Sequence, residues 1–160
     1  GLELEFLARP IDRLSLSSTL AYLDARYDVY FDAETSLAGN RLPNAPKWNV
    51  TFGAEYRADL GTVGQLLFRT DLAVRGKAFF KPNNNPLYAG ERVTLLNGRL
   101  TYQPNGRNWE IAVYGRNLTN ERYASYKAVG TDATGVSNPS LPLTVYGEPR
   151  QVGAQLRYSF

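Results

Sequence analysis

The chain has 160 residues, enough for one domain with a real core, and its 18 basic and 15 acidic side chains leave a net charge of only +3. It contains no cysteine, histidine or methionine, so histidine acid–base chemistry, Ser–His–Asp triads and Cys/His metal sites are excluded, and no catalytic residue, metal or cofactor is expected. The arginines are scattered, so no nucleic-acid stripe and no nucleic-acid partner is expected. No apolar run approaches the ~18 residues of a membrane helix, but crossing by strands stays open, because half of each such strand faces water.

Seven stretches alternate with a period of two, the signature of strands with one apolar and one polar face. Residues 1–8 set Leu2, Leu4 and Phe6 against Glu3 and Glu5. The second begins at Arg13 and sets Leu14, Leu16, Leu20 and Tyr22 against Ser15, Ser17, Thr19 and Ala21. From Trp48 the third places Val50, Phe52, Ala54 and Tyr56 opposite Asn49, Thr51, Glu55 and Arg57. In the fourth, Leu66, Phe68, Leu72 and Val74 oppose Gln65, Arg69, Asp71 and Arg75. Leu96, Leu100 and Tyr102 against Asn97, Arg99 and Thr101 make the fifth. The sixth, with Trp109, Ile111 and Val113, is less clean, because Ala112 and Tyr114 occupy its other face. The seventh is the last ten residues, with Val152, Ala154, Leu156, Tyr158 and Phe160 on one face. Each approaches the ~9–11 residues with which a tilted strand crosses a bilayer.

Short connections with Pro or Gly turn chemistry at 9–12, 59–64 and 103–107 alternate with long ones at 32–46, 79–90 and 119–147. This is the pattern of a barrel with short periplasmic turns and long outer loops. Aromatic residues mark both ends of the strands: Tyr56, Tyr102, Trp109, Tyr158 and Phe160 at the short turns, Tyr27, Tyr30, Trp48, Phe79, Phe80, Tyr123 and Tyr126 at the long loops. All four lysines, Lys47, Lys77, Lys81 and Lys127, fall at the long-loop end, where they serve either lipopolysaccharide phosphates or solubility. Asp28, Asp32 and Glu34 lack the glycine-turned loop of a calcium site and read as solvated loop. Asn83-Asn84-Asn85-Pro86 reads as a turn tip, and Gly130, Gly135, Asn138, Pro139 and Pro142 as a long mobile loop. Asn49-Val50-Thr51 and Asn117-Leu118-Thr119 match the glycosylation pattern by chance.

Three stretches carry a resemblance. Tyr114-Gly115-Arg116-Asn117-Leu118-Thr119-Asn120-Glu121-Arg122-Tyr123 resembles the penultimate-strand motif of TonB-dependent outer-membrane receptors. Tyr146-Gly147-Glu148-Pro149-Arg150, continuing through Leu156-Arg157-Tyr158-Ser159-Phe160, resembles the family's last strand. Leu42-Pro43-Asn44-Ala45-Pro46-Lys47-Trp48 is similar to a loop-to-strand passage several strands earlier.

The resemblance implies an all-β, antiparallel transmembrane barrel segment in the outer membrane of a Gram-negative bacterium. Residues 1–160 would then be the C-terminal part of a 22-stranded barrel around a plug domain that the chain lacks. It implies active transport, not catalysis, with the TonB complex acting through the plug. The Tyr-Gly-Glu-Pro-Arg stretch tilts the substrate toward ferric siderophores. It also makes Tyr158 and Phe160 a signal for the barrel-assembly machinery, with outer-membrane lipid and lipopolysaccharide as surroundings. Substrate contact falls to long-loop residues such as Arg122 and Tyr126. Glu3, Glu5, Glu55, Arg57, Arg69, Asp71, Arg75, Arg99 and Arg157 would line the lumen as a charge ladder or touch the plug. Two other readings stand beside this one: the wall of a passive porin-type channel, and a soluble β-sandwich binding module.

Overall fold

The computed structural model describes residues 1–160. Seven long strands form one antiparallel sheet: β1 (Leu2–Ile11), β2 (Leu14–Tyr22), β5 (Trp48–Asp59), β6 (Gln65–Arg75), β9 (Val93–Gln103), β10 (Trp109–Arg116) and β13 (Gln151–Tyr158), neighbours in that order. Three two-stranded ribbons occupy the long connections: β3 (Phe31–Asp32) with β4 (Thr35–Ser36), β7 (Ala78–Phe79) with β8 (Ala89–Gly90), and β11 (Ala124–Thr131) with β12 (Ser137–Tyr146). There is no α-helix; single 3-10 turns stand at Gly61–Val63 and Pro86–Tyr88. No helix is therefore long and apolar enough to cross a membrane, which leaves crossing by strands untouched.

The pairing registers carry the sequence alternation across the whole sheet. Leu4, Leu20, Val50 and Val74 stand side by side on one face, as do Tyr56, Phe68, Leu100 and Val113. On the other face Glu55, Arg69, Arg99 and Tyr114 form a row. A slip of one residue in any pair would exchange the faces, so the shared pattern fixes every register. The sheet does not close; the outer edges of β1 and β13 are open.

Only 13 residues are buried, and their distribution shows what the sheet is for. Leu37, Ala78, Phe80, Tyr88 and Ala89 all belong to the long connections, whereas the wall contributes only Val93 and Ala112 to the buried apolar set. Leu4, Phe52, Phe68, Val113 and Leu156 are exposed along the apolar face. A single layer with a continuous bare apolar face is stable where that face meets lipid, and 66 of 85 backbone hydrogen bonds lie inside regular elements, as a spanning structure requires.

Two expectations change. Strand β1 runs on through Arg9 and Pro10 to Ile11, leaving only Asp12 and Arg13 between strands, because the register shift between Ala8 and Ile11 takes Pro10 out of the ladder with β2. The stretch read as a mobile loop is the hairpin β11–β12, among the longest ribbons in the chain. Pro139 and Pro142 sit in a two-stranded ribbon with a register shift at Val129–Gly130, where a missing N–H is tolerated.

Candidate functional site

The wet face of the wall is a graded set of polar contacts. Arg69 donates twice to Asp71, at 3.1 Å each. Arg57 meets Glu55 at 3.9 Å, and Arg157 meets Glu110 at 3.3 Å. Arg99 reaches past the buried Ala112 to Gln155, 2.8 Å away, and donates to Thr101 at 3.2 Å. Gln65 donates to Gln103, and Gln103 to Glu110, both at 2.8 Å. Of these ion pairs only Arg157–Glu110 joins two strands; Glu55–Arg57 lies within β5 and Arg69–Asp71 within β6. The Arg75 Nε is buried without a partner, and Glu3 and Glu5 form no ion pair, so the expected charge ladder across neighbouring strands is not formed. Being exposed, such pairs contribute roughly 0–1 kcal/mol each, so they define a surface for recognition more than they hold the sheet together.

Above the wall the three long connections interlock into a cap. Arg41 donates its backbone N–H to the Asn84 side chain at 2.7 Å and accepts from it at 2.9 Å, and Asn40 donates to the Pro82 carbonyl. Asn84 takes a left-handed conformation, φ 51°, which suits asparagine and places it for both bonds. The hairpin β11–β12 packs on the second connection through Tyr88, whose hydroxyl donates to the Pro139 carbonyl at 2.6 Å, and through Phe80 against Tyr126 at 5.8 Å.

Arg122 and Tyr126 are not brought together. The Arg122 guanidinium lies 4.4 Å from the ring centre of Tyr146, in a cleft of about 260 Å³ between the second connection and the hairpin that also presents Arg92 and Lys127. Tyr126 instead packs on Phe80, with the Lys81 ammonium 6.0 Å above its ring. Asp28, Asp32 and Glu34 are exposed, and no group of three carboxylates converges on a point that would hold a cation. At the other end of the wall Tyr158 and Phe160 are exposed, with ring centres 5.2 Å apart, and the Ser159 N–H donates to the Asn108 carbonyl.

Sequence reasoning missed the clasp at the foot of the hairpin. Asn117 is 5 % exposed and left-handed at φ 48°. Its side chain donates to the carbonyls of Glu121 (2.9 Å) and Glu148 (3.0 Å) and accepts the Glu121 N–H (2.8 Å), while its own N–H donates to Asn97 (3.0 Å). Asn120, also left-handed, accepts the Arg150 N–H at 3.2 Å. The two motifs around Asn117 and Glu148 are therefore one structural unit: they bind each other where β10 leaves the wall and β13 re-joins it. Leu118 lies over Gly98 and Gly115 on the apolar face, and Tyr123 over Gly147, each glycine giving room that a Cβ would fill. The pairing of two asparagines with a downstream Gly-Glu-Pro was the available signal. Asn117 is too enclosed to carry a glycan.

Two carboxyls of the cap are shifted. At Asp24 desolvation pushes the pKa up, but the Arg26 guanidinium and then the Lys47 ammonium outweigh it and hold the carboxyl below its usual range. Asp132, at the hairpin tip, is lowered first by the Thr134 hydroxyl, at 2.6 Å, and then by the backbone N–H groups of Thr134 and Val136.

Three solved structures are similar to the chain. The ferric yersiniabactin uptake receptor FyuA of Yersinia pestis matches with a TM-score of 0.81 at 23% identity, over 99% of this chain and 23% of that one. The ferric preacinetobactin receptor BauA of Acinetobacter baumannii matches with 0.70 at 21%, over 98% and 21%. The siderophore receptor PiuA of Acinetobacter baumannii gives 0.69 at 17%, over 96% and 20%. The chain thus spans about a fifth to a quarter of the length of these structures, and the likeness is one of fold. The sequence itself matches the profile described as TonB dependent receptor-like, beta-barrel, over residues 1–118, up to the Asn117-Leu118 step of the clasp. With the apolar face, the polar face and the capped long connections all in place, this chain belongs to the TonB-dependent receptor-like β-barrel family and is a stretch of outer-membrane barrel wall.

Proposed function

We propose that residues 1–160 are the C-terminal part of the barrel of an active transporter for ferric siderophores, driven by the TonB complex through a plug domain that lies outside this chain. The observation that carries this reading is the family match of the wall, together with a cap whose interlocked connections present cations beside aromatic rings. Similar solved structures that are siderophore receptors support the choice of substrate. In this reading the chain contributes wall and recognition surface, not catalysis. Arg122 on Tyr146 and Tyr126 beside Lys81 are the side chains offered to the ligand. Lys47 and Lys77, at the long-loop end beside Asp24 and Glu91, are the lysines offered to lipopolysaccharide.

A deletion strain grown under iron limitation on defined ferric siderophores tests the function. Growth on at least one siderophore should require both this gene and an intact TonB complex. Uptake that continues without TonB would instead make the barrel a passive channel.

Tyr158 and Phe160 act, in the same reading, as the signal for the barrel-assembly machinery. Deleting Phe160 from the full-length protein should lower the amount of folded barrel in the outer membrane severalfold, read by heat-modifiable migration on gels. Undiminished folded barrel would leave Phe160 as an interfacial anchor alone.

A further inference from the structure

Once the ion pairs of the wet face are set aside, several charges are left without an opposite charge. Arg57, Arg69 and Arg157 each have a carboxylate, at Glu55, Asp71 and Glu110. These are Glu3 and Glu5 on β1, Arg9 beside Ser15, Arg75 at the end of β6, and Arg99 and Arg116 on the neighbouring strands β9 and β10. Arg99 has only neutral partners, and the exposed Arg116 side chain makes no hydrogen bond or ion pair. The register also sets Arg69 directly opposite Arg99; Asp71 compensates Arg69 through its two hydrogen bonds and leaves Arg99 without an anion. Asp71 is held by Arg69, and no other carboxylate lines this part of the wall.

We propose that Arg99 and Arg116, with Asn97 and Tyr114 beside them, form a binding site in the lumen for one carboxylate-type oxyanion. These four side chains line a single depression of about 370 Å³, with the Arg69–Asp71 pair also on its wall. Tyr114 faces Arg99 across the register and lies flat over Gly153, whose added Cβ would come within 2.6 Å of the Tyr114 hydroxyl. Guanidinium groups suit a carboxylate because each can offer two parallel N–H donors, and partial enclosure by the wall strengthens the contact relative to open water. The site requires only that this face bounds a lumen; it rests on the barrel and is independent of the siderophore reading. The carboxylate has two sources, an acidic side chain of a lumenal segment of the same protein or a free organic acid.

Arg116→Gln in the full-length receptor is the test, because Arg116 has no partner whose loss could damage the wall. Thermal unfolding in detergent is compared with and without succinate, at constant ionic strength set by chloride, with Arg9→Gln as control. An internal carboxylate predicts a downward shift of the unfolding temperature in Arg116→Gln and no response of the parent protein to succinate. A free organic acid predicts an upward shift of the parent protein by succinate that Arg116→Gln loses and Arg9→Gln keeps. Unfolding temperatures equal to or above the parent's in Arg116→Gln, with no succinate response in either protein, would overturn the site. So would an equal effect of Arg9→Gln.

Discussion

Asn117 shows how one side chain decides the geometry of a long connection. It is buried, it closes three hydrogen bonds with its side chain, and it sits where asparagine is one of the few residues that tolerates a left-handed backbone. Asn117→Ala should destabilise the barrel by about 2–3 kcal/mol in denaturant unfolding, since the Glu121 and Glu148 groups lose their partner in a water-poor place. Asn117→Asp should cost nearly as much, because a carboxylate cannot donate to two carbonyls. An Asp variant as stable as the parent would show that the clasp is dispensable. Gly153 makes a second case: Gly153→Ala drives a methyl into Tyr114 and should cost about 1–3 kcal/mol, while Tyr114→Ala with Gly153→Ala should cost less than the two changes summed. Strict additivity would mean that the ring does not rest on the glycine.

The elements divide cleanly into those legible in the sequence and those not. The seven wall strands announce themselves because water on one side and lipid on the other impose a strict period of two, and the registers follow from it. The boundaries of β6, from Gln65 to Arg75, coincide with the alternation itself. Strand β1 is longer than its alternation because Pro10, which looks like a breaker, falls in the register shift between Ala8 and Ile11, where no ladder hydrogen bond to β2 is asked of it. The hairpin β11–β12 was hidden for a related reason: a ribbon above the membrane has no lipid face, so nothing imposes alternation, and its prolines and glycines imitate a loop. Arg122 and Tyr126 belonged to the right region, but which of them lines the cleft depends on the packing of Phe80, Tyr88 and Tyr146, which spacing does not encode. At the hairpin tip, Asp132 accepts from Thr134 and Val136, and its pKa lies below the ordinary 3.8. A carboxyl lowered in the folded state contributes order that is full above that value and is lost as pH falls through the lowered pKa. Hydrogen-exchange protection factors of the Thr134 and Val136 amides should therefore be flat at neutral pH and fall in acid, and Asp132→Asn should remove the dependence. Protection in the parent protein that stays unchanged into strong acid would contradict this.

At the scale of the whole molecule, the sheet inverts the usual arrangement of a soluble domain. Its core lies in the cap, around Phe80, Tyr88 and Ala89, while the wall is one layer with an apolar and a polar surface. Such a layer makes sense only with lipid on one side and a wet lumen on the other, and its two open edges require further strands to close it. A single-thiol scan along β6 tests this most directly, since the chain has no cysteine of its own. Spin labels placed one at a time from position 65 to 75 in the full-length protein in bilayers would report accessibility to oxygen, which partitions into lipid, and to a polar nickel chelate. Oxygen accessibility should peak at Leu66, Phe68, Thr70, Leu72 and Val74, and chelate accessibility at the residues between them. Equal accessibility of both series to the chelate, or a period other than two, would contradict a strand lying between lipid and lumen.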